Sequence, residues 1–166
     1  PSPIETERLK LVHPSLDHLP AYVAYCASPR SVFVGGPFDE IKAFEKLCAM
    51  SGHWALRGFG RFVITEKGTG RPIGHVGALQ LDTNEQPEMT WTLWDGDFEG
   101  KGYAFEAVTG YLTQSAGSLG VDHMLIRIEK DNERSLNLAK RLDARRDPTA
   151  TTPDWMPNCV TFVIDL

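Results

Sequence analysis

The run Phe98-Glu99-Gly100-Lys101-Gly102-Tyr103-Ala104-Phe105-Glu106-Ala107 combines two glycines, a lysine and the start of a helical pattern. Glycine adopts backbone that other residues resist, and it lets main-chain N–H groups come close to a ligand. The first turn of a helix leaves its N–H groups without partners and turns the positive end of its dipole outward. A segment of this kind can hold an anion, phosphate above all. The same residues also suit a tight strand-to-helix turn that binds nothing, and the turn alone does not separate the two. Upstream, Glu88 stands in a run with Trp91 and Trp94. Apolar bulk beside a carboxyl raises its pKa and suits it to proton transfer near neutral pH. A solvated glutamate at a strand edge fits that pattern equally well.

Other chemistries are missing. The sequence has no G-x-S-x-G, no H-E-x-x-H and no G-K-[ST]. His13, His18, His53, His75 and His123 show no ligand spacing, so no metal site is expected. Gly100 and Gly102 open a G-x-G, but Phe105 stands where a dinucleotide fingerprint needs its third glycine. Seventeen basic against twenty-two acidic residues give a formal charge of −5, and an acidic chain repels nucleic acid.

These residues need a frame. The chain has 166 residues, of which 42% are hydrophobic, which suits one domain with its own core. No apolar run approaches the roughly 20 residues of a membrane span. Pro1-Ser2-Pro3 opens no secretion signal, and Cys26, Cys48 and Cys159 are scattered. The expectation is a cytoplasmic protein whose cysteines are small buried hydrophobes.

Arg8 to Val12 reads as a strand. Helices are expected after Asp17 and after Asp39, the second ended by Gly58 and Gly60. Pro29 to Pro37 reads as a loop. Arg61 to Glu66, Pro72 to Leu81 and Glu88 to Trp94 read as strands joined by short turns, hence antiparallel. The period then changes: a helix from Gly102 to Leu119, a strand over His123 to Lys130, a helix capped by Asn132, and a last strand from Cys159 to Ile164. This order predicts a mixed α/β sheet with helices on both faces.

Within that frame the glycine run resembles the acyl-coenzyme A loop of the GNAT superfamily of N-acyltransferases, Q/R-x-x-G-x-G/A, with Gly102 and Ala104 at its last two fixed positions. The fuller run Gly100-Lys101-Gly102-Tyr103-Ala104, with Glu106-Ala107, is similar to the branch that includes enzymes acetylating N-terminal amines of ribosomal proteins. Asn132-Glu133-Arg134-Ser135 followed by Lys140-Arg141-Leu142-Asp143-Ala144 resembles that branch's N-x-x-S…K-L-G-A element. Glu99 departs from the pattern, which prefers Gln or Arg there. It is expected beside the pyrophosphate, with Lys101 offsetting it. Asp143 departs too, replacing a glycine, and aspartate tolerates the left-handed backbone that such a helix end requires.

The resemblance implies a mostly antiparallel GNAT-like sheet splayed between two parallel strands, near Leu93-Trp94 and Ile126–Ile128. The coenzyme would contact Leu93, Trp94, Gly100, Lys101, Gly102, Tyr103, Ala104, Asn132, Ser135 and Arg141. The pantetheine arm would bond strand backbone. An amine would enter from the side lined by the Ser31–Phe38 loop, the second helix near Trp54 and the Pro148–Asn158 loop.

An alkylammonium, with a pKa of roughly 10, must lose a proton before attacking a thioester. Glu88 is the candidate base and Asp82 a weaker one. Ser135 is the candidate acid toward the departing thiolate, though capping after Asn132 fits it as well. Leu138 and Ala139 fill the places where many relatives carry a tyrosine acid. Trp54 and Trp91 read as core or cleft wall, and His53 and His75 as ordinary polar residues. The expected activity is acetyl transfer from acetyl-CoA to a primary amine of a small molecule or a protein N-terminus. The expected state is a monomer or homodimer with no nucleic acid, membrane or metal partner. A non-catalytic acyl-CoA-binding module is the alternative.

Overall fold

The computed structural model describes residues 2–166. Eight strands form one mixed sheet: β1 (Ile4–Glu5), β2 (Leu9–Val12), β3 (Arg61–Glu66), β4 (Pro72–Leu79), β5 (Glu88–Leu93), β6 (His123–Glu129), β7 (Arg145–Arg146) and β8 (Cys159–Asp165). Their order across the sheet is β1-β2-β3-β4-β5-β6-β8-β7. The neighbours pair antiparallel except β5 and β6, which are parallel.

Helices α1 (Leu19–Ala27) and α2 (Glu40–Arg57) cover one face, while α3 (Tyr103–Gln114) and α4 (Glu133–Arg141) cover the other. The reason lies in strand alternation. Phe62 and Ile64 of β3 point into the α3–α4 core, whereas Val63 between them joins Tyr22, Tyr25, Leu47 and Met50 beneath α1 and α2. In β6, Met124, Ile126 and Ile128 are buried in the α3–α4 core, while Leu125, Arg127 and Glu129 lie on the α1–α2 side and are only half-buried.

Most expected elements are present, with shifted ends. Asp39 caps α2, its side chain accepting from the Lys42 N–H at 2.8 Å, and Gly58 ends it in left-handed backbone. Asp17 does not cap α1. It lies inside a 3-10 turn, Leu16–His18, and the helix starts at Leu19 with Pro20 in its first turn. The expected loop after Pro29 is a 3-10 segment, Pro29–Val34. The helix expected to run to Leu119 breaks at Ser115 and continues as a 3-10 turn. Strands β1 and β7, of two residues each, carry no periodicity and were not expected. Asp143 takes φ 58° and closes α4, as its tolerance of left-handed backbone allows. Cys26 and Cys159 are buried, but Cys48 is exposed on α2, against the expectation of three buried thiols. No helix is long and apolar enough to cross a membrane among the described residues.

Candidate active site

Strands β5 and β6 pair at one position only, Glu88 opposite Leu125, with the Leu125 N–H donating to Pro87 O at 3.0 Å. Beyond that rung they diverge, and a V-shaped opening forms between them. The β4–β5 ladder runs unbroken from Leu79–Glu88 to Gly74–Leu93, so no bulge disturbs the alternation in β5. Glu88, Thr90 and Thr92 therefore lie on the α1–α2 face, and Met89, Trp91 and Leu93 on the other. Trp94 donates its main-chain N–H to Ile73 O at 2.8 Å, toward β4. Alternation then turns the main-chain groups of Leu93 to the open side. Of the two residues expected to meet the coenzyme there, Leu93 faces the opening. Trp94 does not: its indole is buried with Tyr22, Tyr25 and His75 and donates to His75 Nδ1 at 3.0 Å.

At the mouth of the V lies the glycine run. Gly100 and Gly102 have φ of 72° and 78°, the left-handed region, and Gly102 is the N-cap of α3. No heavy atom lies within 4 Å of a Cβ built on Gly100. The first-turn N–H groups of α3, from Tyr103 onward, have no intrahelical acceptor and open on this space. The turn is held from outside. Arg8 donates through Nη1 to Lys101 O at 2.8 Å and through Nε to Glu106 at 2.7 Å, and its guanidinium covers the Tyr103 ring at 4.3 Å. The Tyr103 hydroxyl donates to Glu66 at 2.8 Å. The sequence reading missed Arg8 and Glu106, whose link spans ninety-eight positions and has no local pattern. These residues fit a diphosphate: a fixed left-handed turn, free donors and open space above them.

Glu99 overturns its expectation. Lys101 does not offset it; the Lys101 ammonium lies 5.8 Å from the Phe98 ring. Glu99 is instead held between Arg30 and Arg134. Arg30 also donates to Leu93 O from Nε and Nη2, each at 3.2 Å. Glu99 thus ties α4 to the 3-10 segment after α1 across the mouth. Glu99→Gln would loosen this tie and leave two guanidiniums free for phosphate oxygens. Acetyl-CoA should then bind tighter by a few-fold, and more so at low salt. Titrations showing one unchanged Kd at both salt levels would mean that neither arginine reaches the coenzyme.

On α4, the Asn132 side chain accepts from the Ser135 N–H at 3.3 Å and caps the helix. The Ser135 Oγ accepts from the Trp91 indole N–H at 3.2 Å, across the open side of β5. An indole N–H only donates, so the serine's own O–H remains available as a donor. Arg141 stands at the far end of α4 with its guanidinium 4.2 Å over the Phe105 ring, beside a groove between α3 and α4. Ala104 is half-buried against the α3–α4 core.

Glu88 occupies the closed end of the V and is 7% exposed. Its Oε1 accepts from Arg127 at 3.3 Å, and Arg127 pairs more closely with Glu85, at 2.8 Å. Burial pushes the Glu88 carboxyl up to about 7, even against the opposing pull of Arg127. A cavity of about 30 Å³ adjoins it, lined by Glu85, Gln86, Arg127 and Trp155 among others. That is room for water rather than for an amine. Trp155, from the loop expected on the acceptor side, lies over Arg127 at 5.7 Å. Asp82 is exposed at the rim of this cavity, its carboxylate accepting from Asn84 N–H.

Trp54 does not line the cleft: it donates to Arg61 O at 2.9 Å and packs on Phe62. His53 bonds Phe59 O at 2.8 Å and the Gln80 N–H at 3.0 Å. It and His75 are buried, and burial holds both below the usual imidazole range. No cluster of metal-ligating side chains is present among the described residues.

The acetyltransferase (GNAT) domain family matches residues 8–145. The chain belongs to the GNAT acetyltransferase family. The acetyltransferase from Agrobacterium tumefaciens strain C58 is 30% identical, with a TM-score of 0.88 over 99% of this chain and 94% of that one. The uncharacterised N-acetyltransferase p20 of Bacillus licheniformis is 27% identical over 146 residues, covering 86% of this chain and 82% of its own. A ribosomal L7/L12 α-N-protein acetyltransferase, RimL, in complex with coenzyme A, shares the fold at 15% identity, with a TM-score of 0.80 over 99% of this chain and 98% of that one. The chain is thus an acetyltransferase. A non-catalytic binding role is not favoured.

Proposed function

We propose that this GNAT chain, acting as a single catalytic domain, transfers an acetyl group from acetyl-CoA to a primary amine by direct attack on the thioester. The observation that carries this reading is the sheet parting after one rung, with Glu88 at its closed end and the glycine turn at its mouth. The pyrophosphate rests on the N–H groups of Gly100 to Ala104, and the pantetheine arm bonds the open edge of β5 at Leu93. Acetyl-CoA supplies the activated carbonyl. Glu88, through the adjoining water-sized cavity, takes the ammonium proton. The amine nitrogen forms the new C–N bond, the C–S bond breaks, and Ser135 gives a proton to the thiolate, the amine's second proton restoring the serine through solvent.

Two measurements test this. Acetyl-CoA at about one hundred times its Kd should stabilise the fold by about 2.7 kcal/mol, visible as a melting shift of several degrees. Thiol release should appear with at least one member of a broad amine panel. A melting curve unmoved by millimolar acetyl-CoA would overturn the coenzyme site.

A further inference from the structure

The face of the sheet that carries Glu88 also carries a cation that the fold does not neutralise. Arg61 opens β3. The ladder sets it opposite Gly77, and Gly77 opposite Thr90. Residues directly opposite share a face, so Arg61, Thr90 and Glu88 point the same way. The Arg61 Nε is shut from solvent and has no hydrogen-bond partner. No carboxylate among the described residues forms an ion pair with the guanidinium. The other half-buried arginines among the described residues, Arg8, Arg30, Arg57 and Arg127, all donate to a carboxylate or a carbonyl. Arg61 stands apart from them.

A second cation faces the same region. Lys46 of α2 is half-buried, with Nζ 4.3 Å over the Phe38 ring, and it makes no ion pair among the described residues. Arg61 and Lys46 press on one another and on buried His75, which has no charge to return. Glu88 feels Arg61 but is bonded to Arg127. Tyr22 and Tyr25, on α1, are neutral phenols whose pKa burial raises. Burying a guanidinium without a counter-ion is costly, and a ligand that brings the missing charge recovers that cost.

We propose that Arg61 is the counter-ion for an anionic group on the acceptor: the amine acetylated here carries a carboxylate, held by the Arg61 guanidinium, with its nitrogen linked to Glu88 through water. This rests on the acetyl-transfer reading of the cleft. A guanidinium fork matches a carboxylate in two parallel hydrogen bonds. Strands stand about 4.8 Å apart and rise about 3.4 Å per residue. Arg61 is two strands across and two residues along from Glu88, and each feels the other's charge, so the span suits a compact amino acid. The positive field also lowers the pKa of an amine bound beside it, which assists its deprotonation.

The test uses matched acceptors: a free amino acid and the amine left when its carboxylate is removed, such as phenylalanine with phenethylamine and leucine with isoamylamine. Thiol release gives kcat/KM for each with saturating acetyl-CoA. Wild type should favour the amino acids by about 10–10²-fold, the worth of a charged hydrogen bond. Arg61→Gln should collapse that ratio toward one, and Arg61→Lys should keep part of it. Should the glutamine variant melt too low to assay, Arg61→Met, which is also uncharged, reads the same collapse. Wild type using both members equally, or Arg61→Gln leaving the ratio intact, overturns the proposal. Turnover of the amines that lack a carboxylate alone overturns it while acetyl transfer stands. Binding of acetyl-CoA without turnover of any amine counts against the acetyl-transfer reading itself.

Discussion

Replacing Glu88 with glutamine should lower kcat by about 10²–10⁴-fold near neutral pH, with the Kd for acetyl-CoA close to wild type. Glutamine keeps the size and the bond to Arg127 but cannot take a proton. The coenzyme contacts lie at the other end of β5, which is why affinity should survive. The pH dependence gives a second reading. With a carboxyl pushed up to about 7 by burial, the wild-type rate should rise as pH passes through that value. The glutamine variant should lack that limb and regain ground only as pH approaches the amine's own pKa of roughly 10, where neutral amine arrives unaided.

Stability follows the same group with a definite sign. Its folded pKa lies above the ordinary 4.5, so the folded state binds more protons across this window. The contribution is fully present below about 4.5 and is lost as pH rises through about 7. Melting temperatures of Glu88→Gln measured over that range should fall less than those of wild type. Kinetics within a few-fold of wild type at neutral pH would remove Glu88 from the mechanism and point to Asp82 or a chain of waters.

Gly102→Val should weaken acetyl-CoA binding by about 10²-fold, the loss of one or two charge-assisted N–H contacts. Space is not the obstacle, since a Cβ there meets only Arg8 Nη2 at 3.5 Å. Conformation is. A β-branched residue resists φ 78°, so the turn must relax and the first N–H groups of α3 lose their aim. The strain also costs about 1–2 kcal/mol of stability. Calorimetric titration beside a melting curve separates the two effects. A folded variant that binds acetyl-CoA as wild type does would place the phosphates elsewhere.

Local chemistry was legible in the sequence and distant chemistry was not. Asp39, Gly58, Gly102 and Asn132 act on backbone within a turn of themselves, so their types and positions foretold the element ends. Glu88 was legible only in its place on β5: Trp91, expected to shield it, lies on the other face, and its burial comes with the assembled sheet. Glu99 misled because its two partners come from α4 and from the segment after α1, and no spacing along the chain encodes either. Arg61 read as an ordinary strand residue. Its lack of a partner exists only once the sheet has assembled and the other arginines have found theirs. Trp94 misled for a subtler reason: the residue after β5 still bonds β4 and turns its back on the opening.

The single rung between β5 and β6 has a mechanical consequence. The sheet is in effect two plates, β1 to β5 and β6 with β7 and β8, whose backbone ladder is a single rung above a shared apolar core. The arginine–glutamate tie at the mouth is a further fastening, and it is ionic and partly wet. A pantetheine arm laid along the seam would restore the missing rungs, so the donor substrate would also act as a splint. Each release of spent coenzyme A would then unlace the molecule, and each new acetyl-CoA would lace it again.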